Sequence, residues 1–227
     1  MKKTVFIYLI LGILTFPVLA QSKTELGGGI GAFNYTGDLS RAYKITSMRP
    51  AFTGFYKYNI NNALSFRASL TAGYISGTDN KPVDPFASVR ARSFKVFAVE
   101  AATLFEYDFI DMKGNTQLVY GSPYLFGGFG IFNLLNPPPA SQAYSPLQPV
   151  LPLGFGVKYV ITPNWYLALE FGARFTFFDY LDGVSYGDPR TKDYQYGSWY
   201  DNDMYYFLGL TATYSFFKIQ CPTNPYK

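Results

Sequence analysis

Histidine is missing from these 227 residues, and cysteine occurs once, at Cys221. Without histidine no Ser-His-Asp triad can form, and enzymes that rely on histidine as general base are excluded. One cysteine makes no intramolecular disulfide and leaves no Cys/His set for a metal. Charge is scarce, at 15% of residues, with a formal net charge of +4. No basic stripe with interleaved aromatics occurs, so nucleic acid is not an expected partner. Long apolar runs are lacking as well: past residue 20 none approaches the ~18 residues of a membrane-spanning helix.

The first 20 residues are different in kind. Lys2 and Lys3 precede an apolar stretch from Val5 to Pro17, and Val18-Leu19-Ala20 supplies a small-residue cleavage site. This is the pattern of an export signal, and the apolar run is shorter than the roughly 20 residues of a spanning anchor. The expected division is a signal peptide over 1–20 and a mature domain over 21–227. Lys2 and Lys3 leave with the signal, so 17 of the 19 basic residues remain against 15 acidic ones.

Aromatic residues are abundant: 20% of the chain, with 21 Tyr and 22 Phe. A soluble domain has little room for so many large rings, whereas a barrel in lipid uses them in its apolar band and interfacial girdles. Period-two alternation supports the barrel. From Trp165 to Phe177, one face carries Trp165, Leu167, Leu169, Phe171, Ala173, Phe175 and Phe177. The opposite face carries Tyr166, Ala168, Glu170, Gly172, Arg174 and Thr176. Similar alternation over 64–74, 99–107, 151–161 and 205–216 predicts four more strands. Weaker patterns at 25–35, 50–59 and 123–133, where glycines in the first and third obscure the facing, bring the number to eight. The predicted fold is therefore all-β: an eight-stranded antiparallel transmembrane β-barrel, since a closed ladder is the non-helical way to satisfy every backbone polar group in hydrocarbon.

Connection lengths orient it. Tight turns at 60–62 and 162–164 belong to the periplasmic side, with both termini and a short C-terminal tail. Longer loops near 36–49, 76–92, 134–149 and 179–203 face outward. The Asp108 to Gly121 connection is the longest on the periplasmic side.

An eight-stranded lumen is wide enough only for side chains, which argues against a diffusion pore. The inward set predicted from alternation includes Arg67, Glu100, Glu106, Lys158, Glu170 and Arg174. Buried charges must pair, and the expectation is a structural network rather than an ion pathway. A three-residue turn at Pro163 would set Lys158 opposite Glu170. Asp201-Asn202-Asp203 could hold a cation but is expected to be a solvated turn. Gly27-Gly28-Gly29-Ile30-Gly31 lacks the Lys-Ser/Thr and helix of a phosphate loop, so these are strand glycines. No cofactor is expected.

Two segments near the ends carry a resemblance. Leu26-Gly27-Gly28-Gly29-Ile30-Gly31 leads to Tyr35-Thr36-Gly37-Asp38-Leu39. Near the end come Trp199-Tyr200-Asp201-Asn202-Asp203, Tyr206-Phe207-Leu208-Gly209, Tyr214-Ser215-Phe216 and a tail with Cys221-Pro222. Together with Pro163-Asn164-Trp165, these resemble the PorG-like barrels of the type IX secretion system. The resemblance implies a non-enzymatic outer-membrane component that associates with a periplasmic ring of a lipoprotein and its partner protein, driving protein export and, in gliding bacteria, adhesin delivery. It carries no catalytic residue. Gly37 and Asp38 match its motif, and a turn or loop-anchoring role is expected, with glycine supplying a positive φ. A general small barrel of the OmpA or OmpW type is the alternative, serving envelope stability, adhesion or passage of small hydrophobic molecules. A soluble lipocalin-like carrier would need polar outward faces, and here those faces carry Leu, Phe and Tyr.

Overall fold

The computed structural model describes residues 24–37, 43, 45–78, 93–111, 120–135, 145, 147–162, 164–177, 181, 187–188, 193–194 and 203–216. The signal segment, Asp38, Asp201, Asn202, Pro163, the central part of the Asp108 to Gly121 connection and the C-terminal tail lie outside the described residues. Eight strands close into one barrel: β1 (Thr24–Thr36), β2 (Arg49–Asn59), β3 (Leu64–Thr78), β4 (Ser93–Asp108), β5 (Gly121–Leu135), β6 (Leu147–Thr162), β7 (Trp165–Thr176) and β10 (Met204–Phe216). Each pairs antiparallel with its sequence neighbour, and β1 meets β10 to complete the ring. A short antiparallel pair, β8 (Gly187–Asp188) and β9 (Asp193–Tyr194), lies in the connection between β7 and β10. All eight predicted strands form, and several run further toward the outer side than alternation alone indicated. β3 continues to Thr78 and β6 begins at Leu147 because the backbone ladder persists where side-chain alternation fades.

The ends of the barrel chain, Thr24 and Phe216, are paired with each other at the rim that also carries the short connections. Asn61 shapes one of these turns: its side-chain oxygen accepts from the backbone N–H of Ala63 at 2.9 Å and of Leu64 at 2.6 Å. Asparagine closes such turns because its carbonyl stands in for a backbone acceptor.

Alternation sorts the wall into two faces. Outward, Leu26, Ile30, Phe52, Leu70, Leu125, Phe129, Leu153, Phe155, Leu169 and Leu210 are exposed in a continuous apolar band. Below it, toward the chain ends, stand Tyr58, Tyr107, Tyr120, Tyr159, Trp165 and Phe216, all exposed. Trp165 packs edge-on to Tyr214 at 5.2 Å, and Tyr214 to Phe216 at 5.0 Å. Toward the opposite rim Tyr74 packs on Phe97 at 5.0 Å, with Lys95 above the Tyr74 ring. An apolar belt between two aromatic girdles is the surface of a barrel seated in a bilayer. Among the described residues no helix is long and apolar enough to cross a membrane; the strands do so.

Candidate functional site

The interior is stratified. The half nearer the termini is ionic. Arg67 on β3 donates two bonds to Glu170 on β7, Nη1 to Oε2 at 2.8 Å and Nη2 to Oε1 at 3.2 Å. Tyr124 on β5 adds an O–H bond to the same carboxylate at 3.1 Å. Such a fork fixes both partners in direction as well as distance. The Arg67 guanidinium also lies 3.9 Å from the ring centre of Phe55, an aromatic contact that offsets part of its lost hydration.

Glu106 on β4 is the hub. Its carboxylate meets Lys57 at 2.9 Å, Lys158 in direct contact and Arg67 at 3.8 Å. Lys158 also holds Asp108 at 2.5 Å, and Lys57 lies 3.9 Å from Glu25. Glu25 in turn accepts from Asn59 at 2.6 Å, whose own side-chain oxygen accepts from Ser65. Higher in the barrel, Glu100 accepts from Tyr205 at 2.6 Å and from Arg174 at 3.4 Å. Arg174 also donates to the Gly172 carbonyl at 2.8 Å.

All six residues named from the sequence therefore point inward and are buried. They fall into two sets: Arg67, Glu106, Lys158 and Glu170 join one network, while Glu100 and Arg174 form a separate pair beneath the mouth. The expected facing of Lys158 and Glu170 is not found. Lys158 is opposite Ala168, Glu170 is opposite Gly156, and a register irregularity falls between Val160 and Thr162. Two residues of offset along the strands send Lys158 down to Glu106 and Asp108, and leave Glu170 to Arg67. Glu25, Lys57 and Asp108 complete the network and are absent from the inward set expected from the sequence; Asp108 continues the period of Glu100 and Glu106 at the end of β4, where the sequence suggests the start of a connection. Lys57 was obscured because Phe55 and Tyr56 put rings on both faces of β2.

The half nearer the mouth is apolar. Phe33, Tyr35, Ile75, Phe94, Val96, Phe132, Leu134, Tyr205 and Phe207 form one buried cluster, joined by Leu181 from the β7–β10 connection. Phe33 packs edge-on to Tyr205 at 5.3 Å and Tyr35 to Phe94 at 5.0 Å. Within the ionic half, a cavity of about 10 Å³ bordered by Lys57, Arg67, Tyr124 and Lys158 is the size of one water. Gly156 makes the filling possible: a Cβ there would meet the Tyr124 ring and the Leu169 carbonyl. On the lipid side, the small residues Gly54, Ala68, Ala101 and Thr103 leave a depression of about 760 Å³ between Tyr56, Leu70, Phe129 and Ile131.

Two motif positions are corrected by the structure. Asp203 does not sit in a solvated turn; it is buried, accepting from Tyr35 at 2.6 Å and from the Leu181 N–H at 2.8 Å. Gly37 is not in the left-handed region, and its lack of a side chain matters for space, since a Cβ would run into the Tyr35 hydroxyl and Asp203. Among the described residues no group of three or more His, Cys, Asp or Glu side chains is arranged to hold a metal.

A family model matches residues 3–224. The chain belongs to that family, described as Domain of unknown function (DUF6089). No curated protein matches this DUF6089 chain. Among solved structures, it is similar to Neisserial surface protein A, at 14% identity and a TM-score of 0.52, covering 87% of this chain and 100% of that one. It is also similar to the N-terminal β-barrel domain of Pseudomonas aeruginosa OprF, at 14% identity and a TM-score of 0.45, covering 86% and 99%. A third is Ail, the attachment invasion locus protein of Yersinia pestis, at 12% identity and a TM-score of 0.46, again covering 86% and 99%. The likeness to the Neisserial protein is one of fold. The apolar belt between two aromatic girdles marks this DUF6089 barrel as an outer-membrane protein, with Thr24, Phe216 and the short connections at its periplasmic rim.

Proposed function

We propose that this protein is a non-catalytic structural barrel of the outer membrane, exported by residues 1–20, that acts through its two rims and not by passing solute along its axis. The filled lumen carries this conclusion. Among the described residues an ionic network occupies the periplasmic half, an aromatic cluster occupies the outer half, and a cavity among the charges has room for about one water. The network serves as an internal strut: its paired charges tie β2, β3, β4, β6 and β7 across the bore. A role in envelope stability or adhesion fits a plugged barrel better than axial solute passage. The purified, folded barrel in planar bilayers is expected to give no stepwise conductance; sustained channel openings would sink the proposal.

A narrower role, as an outer-membrane component of a type IX secretion machine, is supported by the resemblance at the two ends of the chain. In the fold those ends meet, Tyr35 and Gly37 against Asp203. In that role a periplasmic ring of a lipoprotein and its partner would contact the 108–121 connection and the tail from Lys218 to Lys227. Deleting Pro222 to Lys227, or replacing 111–116 with a short Gly/Ser turn, should weaken co-purification of the ring while the barrel stays inserted. Absence of any ring partner with the intact protein would leave the general small-barrel role standing alone.

A further inference from the structure

Two motifs far apart in sequence converge on one carboxylate. Asp203 precedes β10, Tyr35 ends the inward row of β1, and Leu181 lies shortly after β7. Asp203 Oδ1 accepts from the Tyr35 hydroxyl at 2.6 Å, and Oδ2 accepts from the Leu181 backbone N–H at 2.8 Å. The Asp203 carbonyl accepts from the Thr176 hydroxyl, so the last residues of β7 are tied to it too. Asp203, Tyr35 and Leu181 are all buried, and the Leu181 side chain sits in the aromatic cluster that fills the mouth.

We infer that Asp203 is the latch that fixes both roots of the β7–β10 connection to the barrel mouth, with Tyr35 as its partner on the wall and Gly37 as the residue that leaves it room. A carboxylate removed from water is tolerated only with its acceptors satisfied, and here one donor comes from the wall and another from the connection itself. Releasing the connection would take the Leu181 N–H from the buried carboxylate and uncover the Leu181 side chain together. Gly37 belongs to the device because a Cβ there would occupy the space of the Tyr35 hydroxyl and Asp203. The latch sets where the largest outer connection starts and ends, whatever that connection meets, and does not depend on the function proposed above.

Trypsin reads the latch directly, since Arg190 and Lys192 lie within the β7–β10 connection and Arg90 and Arg92 lie in the β3–β4 connection. The full chain is refolded in detergent micelles, its folded state is checked by the gel shift of unheated samples, and fragments are assigned by mass. Asp203→Ala should raise cleavage after Arg190 or Lys192 by at least about tenfold, the scale of losing charge-assisted hydrogen bonds. Tyr35→Phe, which removes a single oxygen, and Gly37→Ala should give smaller increases; Tyr35→Phe keeps the test open if Asp203→Ala does not fold. Cleavage after Arg90 or Arg92 should stay unchanged. Wild-type rates at Arg190 and Lys192 in the folded Asp203→Ala or Tyr35→Phe variant would overturn the proposal. An equal rise at all four sites would overturn it as well, because it would mean that the whole barrel had loosened.

Discussion

Replacing Glu106 by Gln tests the ionic half of the lumen at its hub. The amide keeps the shape of the side chain and removes the charge that faces Lys57, Lys158 and Arg67. Removing one partner of a buried ion pair costs about 3–5 kcal/mol, because the remaining charge stays out of water without compensation. Two of the three cations retain an anion at hydrogen-bond distance, Lys158 with Asp108 at 2.5 Å and Arg67 with Glu170 at 2.8 Å. Lys57 keeps a longer contact to Glu25 at 3.9 Å and the Phe55 ring at 5.2 Å. The expected loss is therefore below that range, about 2–3 kcal/mol. Urea unfolding of the barrel in vesicles, followed by the fluorescence of its two tryptophans, would show a midpoint lowered by roughly 1–2 M. Adding Lys57→Met to Glu106→Gln removes the most weakly compensated cation and should recover about 1 kcal/mol, a coupling typical of residues in contact. A Glu106→Gln barrel within about 0.5 kcal/mol of wild type would refute the hub assignment, since surface-like changes have that size.

Depth on the lipid face is tested by one strand: Leu169→Arg, in the middle of β7, should lower stability by about 2–4 kcal/mol, whereas Phe177→Arg beyond its outer end should cost about 0–1 kcal/mol. Equal effects in urea titrations would mean that the membrane band is misplaced. Tyr124→Phe removes the hydroxyl bond to Glu170 and should cost about 1 kcal/mol in the same titration, with no change in the gel shift of the folded form. Gly156→Val places atoms where the Tyr124 ring and the Leu169 carbonyl already are, so the fast-migrating folded band should be lost on refolding.

The eight strands were legible because lipid outside and a packed bore inside impose opposite chemistries on alternate residues. Trp165 to Thr176 shows this without interruption, with every charge on one face. Where both faces are aromatic, as at Phe55 and Tyr56 on β2, or glycine-rich, as on β1, the period is still present but silent in composition. That is how Lys57 and Glu25 escaped notice. Cross-strand partners were less legible than facing. A turn irregularity at Val160 and Thr162, together with the slant of the strands, decided that Lys158 reaches Glu106 and not Glu170. Nothing local in Asp201-Asn202-Asp203 distinguishes a solvated turn from a buried latch; the distinction lies in Tyr35, 168 residues away.

The two strata of the bore also answer the question of how such a chain keeps its register. A strand with apolar residues on both faces could slip by one residue and exchange inside for outside with little penalty. In the periplasmic half that slip would put Arg67, Lys158 and their carboxylates against lipid, at a cost for each base that rises with depth toward about 2–4 kcal/mol at the midplane. The charges therefore specify the facing of β2, β3, β4, β6 and β7, even if a well-packed apolar filling would stabilise the bore equally well. The mouth lacks this protection, because Phe33, Phe94, Phe132 and Phe207 are no less apolar than the residues that face lipid beside them. There the facing is held by shape and by single polar contacts: Tyr205 on Glu100, Tyr35 on Asp203, and glycines that leave room for rings on one side only. Register in the lower barrel thus rests on charge and in the upper barrel on fit. For that reason the residues of the mouth, Tyr35, Gly37 and Asp203, stand out in the sequence as a motif, while Arg67, Glu106, Lys158 and Glu170 below them are read from alternation alone.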